Sequence, residues 1–233
     1  MKIIKKFNQT IKLVESNKVF EPNLTTMSII EACNNLSLKK KKKVLDLGSG
    51  SGVIGIFLKK KFKKMIDIYF SDYSESAIKV INSNIKINKI HGTVKKSNIL
   101  ENWENEKFDI IINDVSAISS EIANKYWYNE FIPHDCGEDG IKLSKIFLNS
   151  VQHSLNKNGI ILMPVISISN HKKIVKIFDR KFKSKLLITK EWPAPKSLSK
   201  AKVKKFLKKK YIYKKFDMNL CFTKVYKLQI LNN

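Results

Sequence analysis

Cysteine, proline and glycine are all scarce in this chain of 233 residues, and each scarcity excludes a class of protein. The three cysteines, Cys33, Cys136 and Cys221, are odd in number, lie far apart and form no Cys-x-x-Cys pair. A disulfide framework is therefore excluded, and a cysteine-based zinc site is not expected. Five prolines and eight glycines are too few for a fibrous or low-complexity chain, so we expect a packed core.

Long hydrophobic runs are missing as well. No apolar stretch approaches the roughly 18 residues that would span a bilayer. The basic start of the chain never reaches the apolar core of a signal peptide. Because nothing indicates export and the cysteines fit a reducing compartment, we expect a soluble protein of the cytoplasm.

Lysine, by contrast, is abundant. Against 20 Asp and Glu stand 45 Lys and Arg, so the formal net charge is +25, and Arg180 is the only arginine. A lysine-rich surface would attract nucleic acid or another polyanion loosely. Arginine is the usual residue for reading phosphate or guanine, however, and a plain bias toward lysine gives the same excess. Both explanations stay open.

Strand-like and helix-like segments alternate along the chain, which predicts an α/β protein with a parallel sheet and crossover helices. We expect residues 1–38 to form a helical lead-in with a helix over 25–37, and residues 39–233 to form a single domain. Strands are predicted near residues 43–47, 66–70, 92–96, 108–113, 160–168, 184–191 and 220–228.

A lysine-rich insertion, residues 196–215, separates the last two predicted strands. It places Val203, Phe206, Leu207 and Tyr211 on one helical face. The segment is either a helix that packs this face on the core or an arm that follows phosphates or an anionic membrane.

A glycine loop follows the first strand of the predicted domain, with Gly48, Gly50 and Gly52 at alternate positions. Such glycines let the backbone approach a ligand closely, and open α/β sheets bind ligands at the carboxyl ends of their strands. The loop also fits G-x-G-x-x-G, with Asp72 lying 20 residues beyond Gly52, as in a dinucleotide site. An oxidoreductase that uses NAD(P) is therefore one hypothesis.

The charge of Asp46 favours another ligand. This carboxylate comes two residues before Gly48, where it would repel a pyrophosphate. It suits a ligand with positive charge, such as S-adenosylmethionine with its amino group and sulfonium. Asp72 would then hold the ribose of that ligand through charge-assisted hydrogen bonds.

The segment VLDLGSGSGVIGI, residues 44–56, resembles motif I of the class I S-adenosylmethionine-dependent methyltransferases. The chain is most similar to the small-domain group that includes the release-factor glutamine methyltransferases. Further resemblances are the segments VFEPNLTT, FSDYSESAI and CGEDG, which begin at Val19, Phe70 and Cys136.

This resemblance implies a Rossmann-like sheet of seven strands, mostly parallel with an antiparallel last strand, and helices on both faces. It also implies S-adenosylmethionine as the cofactor. The residues that would bind it are Asp46, Gly48, Gly50, Gly52, Asp72, Asn98 and Asn113.

The motif that would bind the methyl acceptor departs from the pattern of this group. Where the group has Asn-Pro-Pro-Tyr, this chain has Asn113-Asp114-Val115-Ser116, so both prolines and the stacking aromatic residue are missing. Methylation of a glutamine amide or of an exocyclic base nitrogen is therefore not favoured. As catalytic residues we expect Asn113 to orient the acceptor and Asp114 to serve as its base, unless Asp114 only caps the following turn.

The long connection after this motif carries several aromatic residues and a histidine. They either form a lid that stacks on a planar acceptor and excludes water, or simply pack the loop onto the sheet. His134 is a second candidate base. No histidine spacing along the chain matches a metal site, so we expect no metal. The residues concerned are Tyr126, Trp127, Tyr128, Phe131 and His134.

Taken together, the patterns predict a methyltransferase that acts on a nitrogen or oxygen acceptor of a small molecule or a protein side chain. An RNA methyltransferase, or a protein that binds RNA on the same fold without catalysis, is the alternative. The oxidoreductase that uses NAD(P) is the third hypothesis. The sequence does not identify the acceptor.

Overall fold

A computed structural model of the chain describes residues 1–123, 132, 136–194 and 212–231. Within these residues lie ten strands and six α-helices. The strands are β1 (Lys2–Lys6), β2 (Gln9–Leu13), β3 (Lys42–Leu47), β4 (Ile66–Asp72), β5 (Thr93–Lys96), β6 (Phe108–Asn113), β7 (Leu155–Ile166), β8 (Phe182–Pro193), β9 (Tyr213–Lys215) and β10 (Met218–Ile230). The helices are α1 (Leu24–Asn34), α2 (Val53–Phe62), α3 (Glu75–Ile87), α4 (Ser120–Ile122), α5 (Lys142–Ser150) and α6 (His171–Lys181).

The large sheet has the strand order β5-β4-β3-β6-β7-β10-β8, and the short β9 pairs with β10 as an eighth strand. Strands β5, β4, β3, β6 and β7 pair in parallel, whereas β10 runs antiparallel to both β7 and β8. The predicted Rossmann-like α/β sheet, mostly parallel with an antiparallel last strand, is confirmed.

Side-chain alternation along the central strands explains why helices cover both faces of the sheet. On β6, Ile110 and Ile112 join the core cluster that contains α1 and α2, while Ile111 joins the cluster that contains α5 and α6. Successive residues of a strand point to opposite faces, so a continuous apolar strand needs cover on both sides.

A two-stranded hairpin, β1 with β2, precedes α1 and was not predicted. The first 38 residues are therefore not a purely helical lead-in, although the helix expected near 25–37 forms as α1. The hairpin turns at Phe7 and Asn8, both with positive φ, and this pair lacks the Asn-Gly or Asp-Gly signal that would have announced it. The domain boundary at residue 38 stays a prediction.

Two asparagines, one in α3 and one at its C-cap, hold the hairpin in place. Asn84 Oδ1 accepts a hydrogen bond from the Val14 amide at 2.7 Å, and Asn88 Oδ1 accepts one from the Lys12 amide at 3.1 Å. The side-chain amide of Asn84 also donates to the carbonyl oxygen of Ser51 in the glycine loop at 2.8 Å. One buried side chain therefore joins the hairpin to the glycine loop.

Part of the predicted lysine-rich helix is strand instead. Residues Tyr213–Lys215 form β9, because a tight turn at Phe216 and Asp217, both with positive φ, folds them back onto β10. The earlier part of that segment, with Val203, Phe206, Leu207 and Tyr211, lies outside the described residues. So do five residues of the connection after β6, namely Tyr126, Trp127, Tyr128, Phe131 and His134.

No helix in the described part of the chain is both long enough and apolar enough to cross a bilayer.

Gly55 in α2 tests how tightly the helix packs on the sheet. A Cβ at this position would lie 2.3 Å from Cε1 of Phe70, a ring that is itself fully buried in β4. We expect Gly55→Ala to lower the free energy of unfolding by about 1–3 kcal/mol despite the better helix propensity of alanine. Urea unfolding of the two proteins measures this difference.

The matched control is Lys79→Ala, which places alanine on the exposed surface of α3. It should change the free energy of unfolding by no more than about 0.5 kcal/mol. Equal stability of the Gly55 variant and the wild type would contradict the packing described here.

Candidate functional site

The glycine loop, residues 48–52, connects β3 to α2 and lies against the ends of the neighbouring strands. The amides of Gly48 and Ser49 both donate to the carbonyl oxygen of Ser71 on β4, at 2.9 and 3.0 Å. Gly48 has φ of +73°, and a Cβ there would lie 2.8 Å from the amide nitrogen of Val115. Only glycine allows this approach of the loop to the segment after β6.

Asp72 ends β4 and braces the loop from the side. Its Oδ2 accepts from the Gly50 amide and its Oδ1 from the Ser74 amide, each at 2.9 Å. Burial raises the pKa of this carboxyl above its ordinary value, and the hydrogen bonds from the backbone oppose that rise. The sequence placed Asp72 beside the glycine loop, and the structure brings the two together.

Asp46 lies beneath the loop, on β3, with an exposure of 0%. Its Oδ2 accepts from the Gly55 amide at 2.9 Å, while Oδ1 has no hydrogen-bond partner in the described part of the chain. Burial, with a smaller effect of the nearby Asp72, raises the pKa of Asp46 to about 7. A carboxyl in such surroundings favours a positively charged neighbour.

Asn113 ends β6 and is also buried, at 1% exposure. Its Oδ1 accepts a hydrogen bond from the Val115 amide at 3.3 Å, so this side chain supports the turn that follows β6. Its Nδ2 is buried and makes no hydrogen bond to the residues that the structure describes.

Asp114 is partly buried, and its amide donates to the carbonyl oxygen of Leu47 at 2.9 Å. Its Oδ2 accepts from the hydroxyl of Thr26 on α1 at 3.3 Å. Burial, followed by repulsion from Asp46, raises the pKa of Asp114 to about 8. Within the described residues its carboxylate accepts no hydrogen bond from the following turn, and the capping bond there comes from Asn113.

A cavity of about 600 Å³ opens at this edge of the sheet, a size typical of small-molecule sites. Five of the predicted site residues line it, and three others, Asp46, Gly52 and Asn113, lie outside its walls. The five are Gly48, Gly50, Asp72, Asn98 and Asp114.

The far end of the cavity is formed by residues that sequence reasoning did not assign to a site. Thr25 and Thr26 come from the start of α1, Pro164 and Ile166 from the end of β7, and Trp192 from β8. The two threonines belong to the lead-in segment that resembles the methyltransferase group, so a signal existed for them. Nothing in the sequence pattern distinguishes Trp192 from a core residue.

The cavity lacks the excess of positive charge that the whole chain carries. Three carboxylates line it, from Glu21, Asp72 and Asp114, against the two lysines Lys18 and Lys142. In a chain with a net charge of +25, acidic walls around a glycine loop favour a ligand that carries positive charge. Within the described residues, no three His, Cys, Asp or Glu side chains are grouped to hold a metal ion.

These features define a class of protein. A glycine loop after the first strand of a Rossmann-like sheet, with an acidic residue at the end of the next strand, is the arrangement of the class I methyltransferases. The solved structure of the M. jannaschii tRNA m1G37 methyltransferase covers 99% of this chain and 55% of its own, with a TM-score of 0.60 and 16% identity. At that identity the likeness shows the fold alone.

Residues 28–115 match the family model of the methyltransferase small domain. Over these residues the chain is similar to the methyltransferase small domain family, and the resemblance to the class I methyltransferases is confirmed.

Three relatives illustrate the range of the family. The ribosomal protein uL3 glutamine methyltransferase of Francisella tularensis is 30% identical over 128 residues, which cover 52% of this chain and 40% of that protein. A putative protein N5-glutamine methyltransferase of Methanocaldococcus jannaschii is 29% identical over 167 residues, which cover 71% of this chain and 81% of that protein. The ribosomal RNA small subunit methyltransferase C of Actinobacillus pleuropneumoniae is 33% identical over 117 residues, which cover 47% of this chain and 35% of that protein. The chain thus spans less than half the length of the first and third of these proteins.

The raised pKa of Asp114 makes a prediction about stability and pH. Its carboxyl ionises near pH 4 in the unfolded chain and near pH 8 in the folded protein, so its contribution to stability falls as the pH rises between these values. We expect Asp114→Asn to gain at least about 2 kcal/mol of stability relative to wild type between pH 5 and pH 8.5. Denaturant unfolding at both pH values measures the difference.

The matched control is Asp109→Asn. Backbone and side-chain hydrogen bonds from Lys43 and Lys42 outweigh burial and lower the pKa of Asp109, so its ionised form stabilises the fold across this range. Its replacement should be destabilising at both pH values. A stability loss of the Asp114 variant that is larger at pH 8.5 than at pH 5 would contradict the prediction.

Proposed function

We propose that this protein is an S-adenosylmethionine-dependent methyltransferase of the cytoplasm. The observation that carries the proposal is the shared cavity, because the glycine loop, Asp72 and Asp114 line one continuous space at the carboxyl edge of the sheet. A cofactor site and an acceptor site must adjoin in this way for a group to pass between two ligands.

The cavity walls fit the proposed cofactor. Asp72 lies where it can hold the hydroxyls of a ribose, and Asn98, at the next strand end, lies where it can contact a base. Asp46 lies beneath the loop and outside the cavity walls, so its negative charge would act on the amino group of the ligand only from a distance. When bound, S-adenosylmethionine supplies a methyl group on a sulfonium, which is already a good leaving group.

The catalytic task of the chain is then to orient the acceptor and to receive its proton. We assign both roles to the carboxylate of Asp114, a residue of the cavity wall that lies one position after the end of β6. Asn113 would act as a positioning residue, because its side chain fixes the turn that carries Asp114 and Val115. A pKa near 8 for Asp114 is close to the operating pH, as general-base catalysis requires.

RNA is the alternative acceptor. The net charge of +25 favours a polyanion, and one relative is by name a ribosomal RNA methyltransferase. The acidic lining of the cavity favours instead a small molecule or a protein side chain, which could enter without bringing phosphates beside Asp114. The excess of lysine would then give loose attraction to nucleic acid without catalysis.

Calorimetric titration with S-adenosylmethionine, S-adenosylhomocysteine and NAD(P) tests the cofactor. We expect micromolar binding of both adenosyl ligands and none of NAD(P). Asp72→Ala should weaken the adenosyl ligands at least about tenfold, because the ribose loses a charge-assisted hydrogen bond worth about 1.5–3 kcal/mol.

Glu75→Ala is the matched control, since Glu75 is acidic, lies three residues away and is absent from the cavity wall. It should bind like the wild type. Because Asp72 also braces the glycine loop, thermal unfolding of each variant must accompany the titration. Binding of NAD(P) in place of the adenosyl ligands would reject the proposal in favour of the oxidoreductase.

A further inference from the structure

The end of the cavity beyond Asp114 has walls that are mostly apolar. Ile118 follows the β6 turn, and Pro164, Ile166 and Ile168 come from the end of β7 and the residues just after it. The strand order places this end on the opposite side of β6 from Asp72, because β3 and β4 lie on one side and β7, β10 and β8 on the other. It is therefore separate from the part of the cavity proposed for the cofactor.

The polar side chains at this end bond largely to one another. Trp192 Nε1 donates to the hydroxyl of Thr223 at 3.2 Å, and that hydroxyl also lies 3.1 Å from the hydroxyl of Thr25. The indole and both hydroxyls are thus engaged. What these walls offer a ligand is mainly apolar surface.

The Asp114 carboxylate is the exception. Within the described residues it accepts one long hydrogen bond, 3.3 Å from Thr26, and no lysine or arginine pairs with it. The other carboxylates of the cavity wall are engaged, since Asp72 accepts from two backbone amides and Glu21 pairs with Lys2 at 2.6 Å. A carboxylate at the edge of an apolar pocket favours a partner with positive charge and N–H donors.

We propose that this end of the cavity binds a primary amine on an apolar stem, held as its ammonium ion by Asp114. The proposal rests on the proposed function, in which this amine is the methyl acceptor. Asp114 binds the ammonium through N–H···O bonds and then takes one of its protons. The carboxylate becomes a carboxylic acid, and the nitrogen regains the lone pair that a nucleophile needs.

An amide or an exocyclic base nitrogen fits this site less well. Neither carries a positive charge that could pair with the Asp114 carboxylate. Residues 114–116, directly after Asn113, contain no proline pair and no aromatic residue to clamp a planar group. The apolar walls from β7 fit instead an alkyl stem such as that of a free amine or a lysine side chain.

Several titratable groups act on Asp114 or share its cavity. Burial and then Asp46 on β3 raise the pKa of Asp114, and burial, Asp46 and Asp114, in that order, raise the pKa of the Cys33 thiol on α1. The cavity wall also carries Lys18, Glu21, Asp72 and Lys142. Protons and ammonium ions compete for the Asp114 carboxylate, so amine affinity should rise with pH until the amine itself, with a pKa of about 10.4 for an alkyl amine, loses its charge.

The test is titration with hexylamine, 1-hexanol and hexanamide, followed by calorimetry or ligand-observed NMR, with and without S-adenosylhomocysteine. At pH 8.5 we expect hexylamine to bind at least about tenfold more tightly than the two neutral ligands. Its affinity should fall at least about tenfold between pH 8.5 and pH 6.5, whereas that of 1-hexanol stays constant. Nα-acetyl-lysine methylamide, in a parallel titration, distinguishes a lysine side chain from a free amine by which of the two binds more tightly.

Asp114→Asn should bind hexylamine no more tightly than 1-hexanol and lose the pH dependence, while Asp114→Glu should retain both. The matched control is Asp217→Asn, at an exposed turn outside the cavity wall, and it should behave like the wild type. Since the pH and ligand series use the wild type, they decide the proposal even if a variant fails to fold.

Failure of the amine site and failure of the proposed methyltransferase give different results. Equal affinity for hexylamine and hexanamide, or a flat pH profile, would overturn the amine site even where S-adenosylhomocysteine binds. Binding of hexylamine that depends on Asp114, without any binding of S-adenosylhomocysteine, would keep the amine site and reject the proposed methyltransferase.

Discussion

Parallel pairing of β3 with its two neighbours is the constraint on which the whole site depends. Leu47 at the end of β3 pairs with Ser71 on one side and with Asn113 on the other. The residues just before or after this row, Asp46, Asp72 and Asp114, therefore come together from distant parts of the sequence. A slip of one residue in either pairing would turn an acidic side chain to the opposite face of the sheet.

The site brings several carboxyl groups together in buried surroundings, where their charges lower the stability of the fold. Asp46 and Asp114 both have raised pKa values, each in part because of another carboxyl nearby. Asp46 Oδ1 and Asn113 Nδ2 are buried polar atoms without partners in the described residues. Uncompensated groups of this kind lower stability and are found mainly where binding or catalysis needs them. The lysines on the surface do not relieve this cost, because none of those described pairs with Asp46 or Asp114.

Much of the fold and half of the site were predictable because they depend on local patterns. Strand alternation and the glycine motif predicted the sheet, the loop at the carboxyl edge of the sheet and the position of Asp72 beside that loop. The roles of Asn113 and Asp114 were harder to assign. The sequence places both at a strand end, but only the structure reveals that Asn113 supports the turn and Asp114 lines the cavity. Side-chain direction after a strand depends on turn geometry, and the proline pair that would have fixed that geometry is absent here.

The hairpin and the far wall of the cavity were missed for a different reason. Both are built from contacts between residues far apart in the chain, such as Thr25 with Thr223 and Val14 with Asn84. Single-sequence patterns carry no information about such pairs, because each partner alone resembles an ordinary surface or core residue. Short β9 was missed as well, since lysines dominate its sequence and the turn that returns it to β10 contains no glycine.

The double role of Asn84 has a consequence for the order in which the molecule can assemble. The hairpin is synthesised before α3, and its anchoring side chains follow 70 and 76 residues later. Until that helix has formed, neither the hairpin nor the Ser51 carbonyl of the glycine loop has its buried partner. Long-range closure of this kind slows folding. The hairpin is thus among the last parts to dock, and the glycine loop reaches its final shape in the same event.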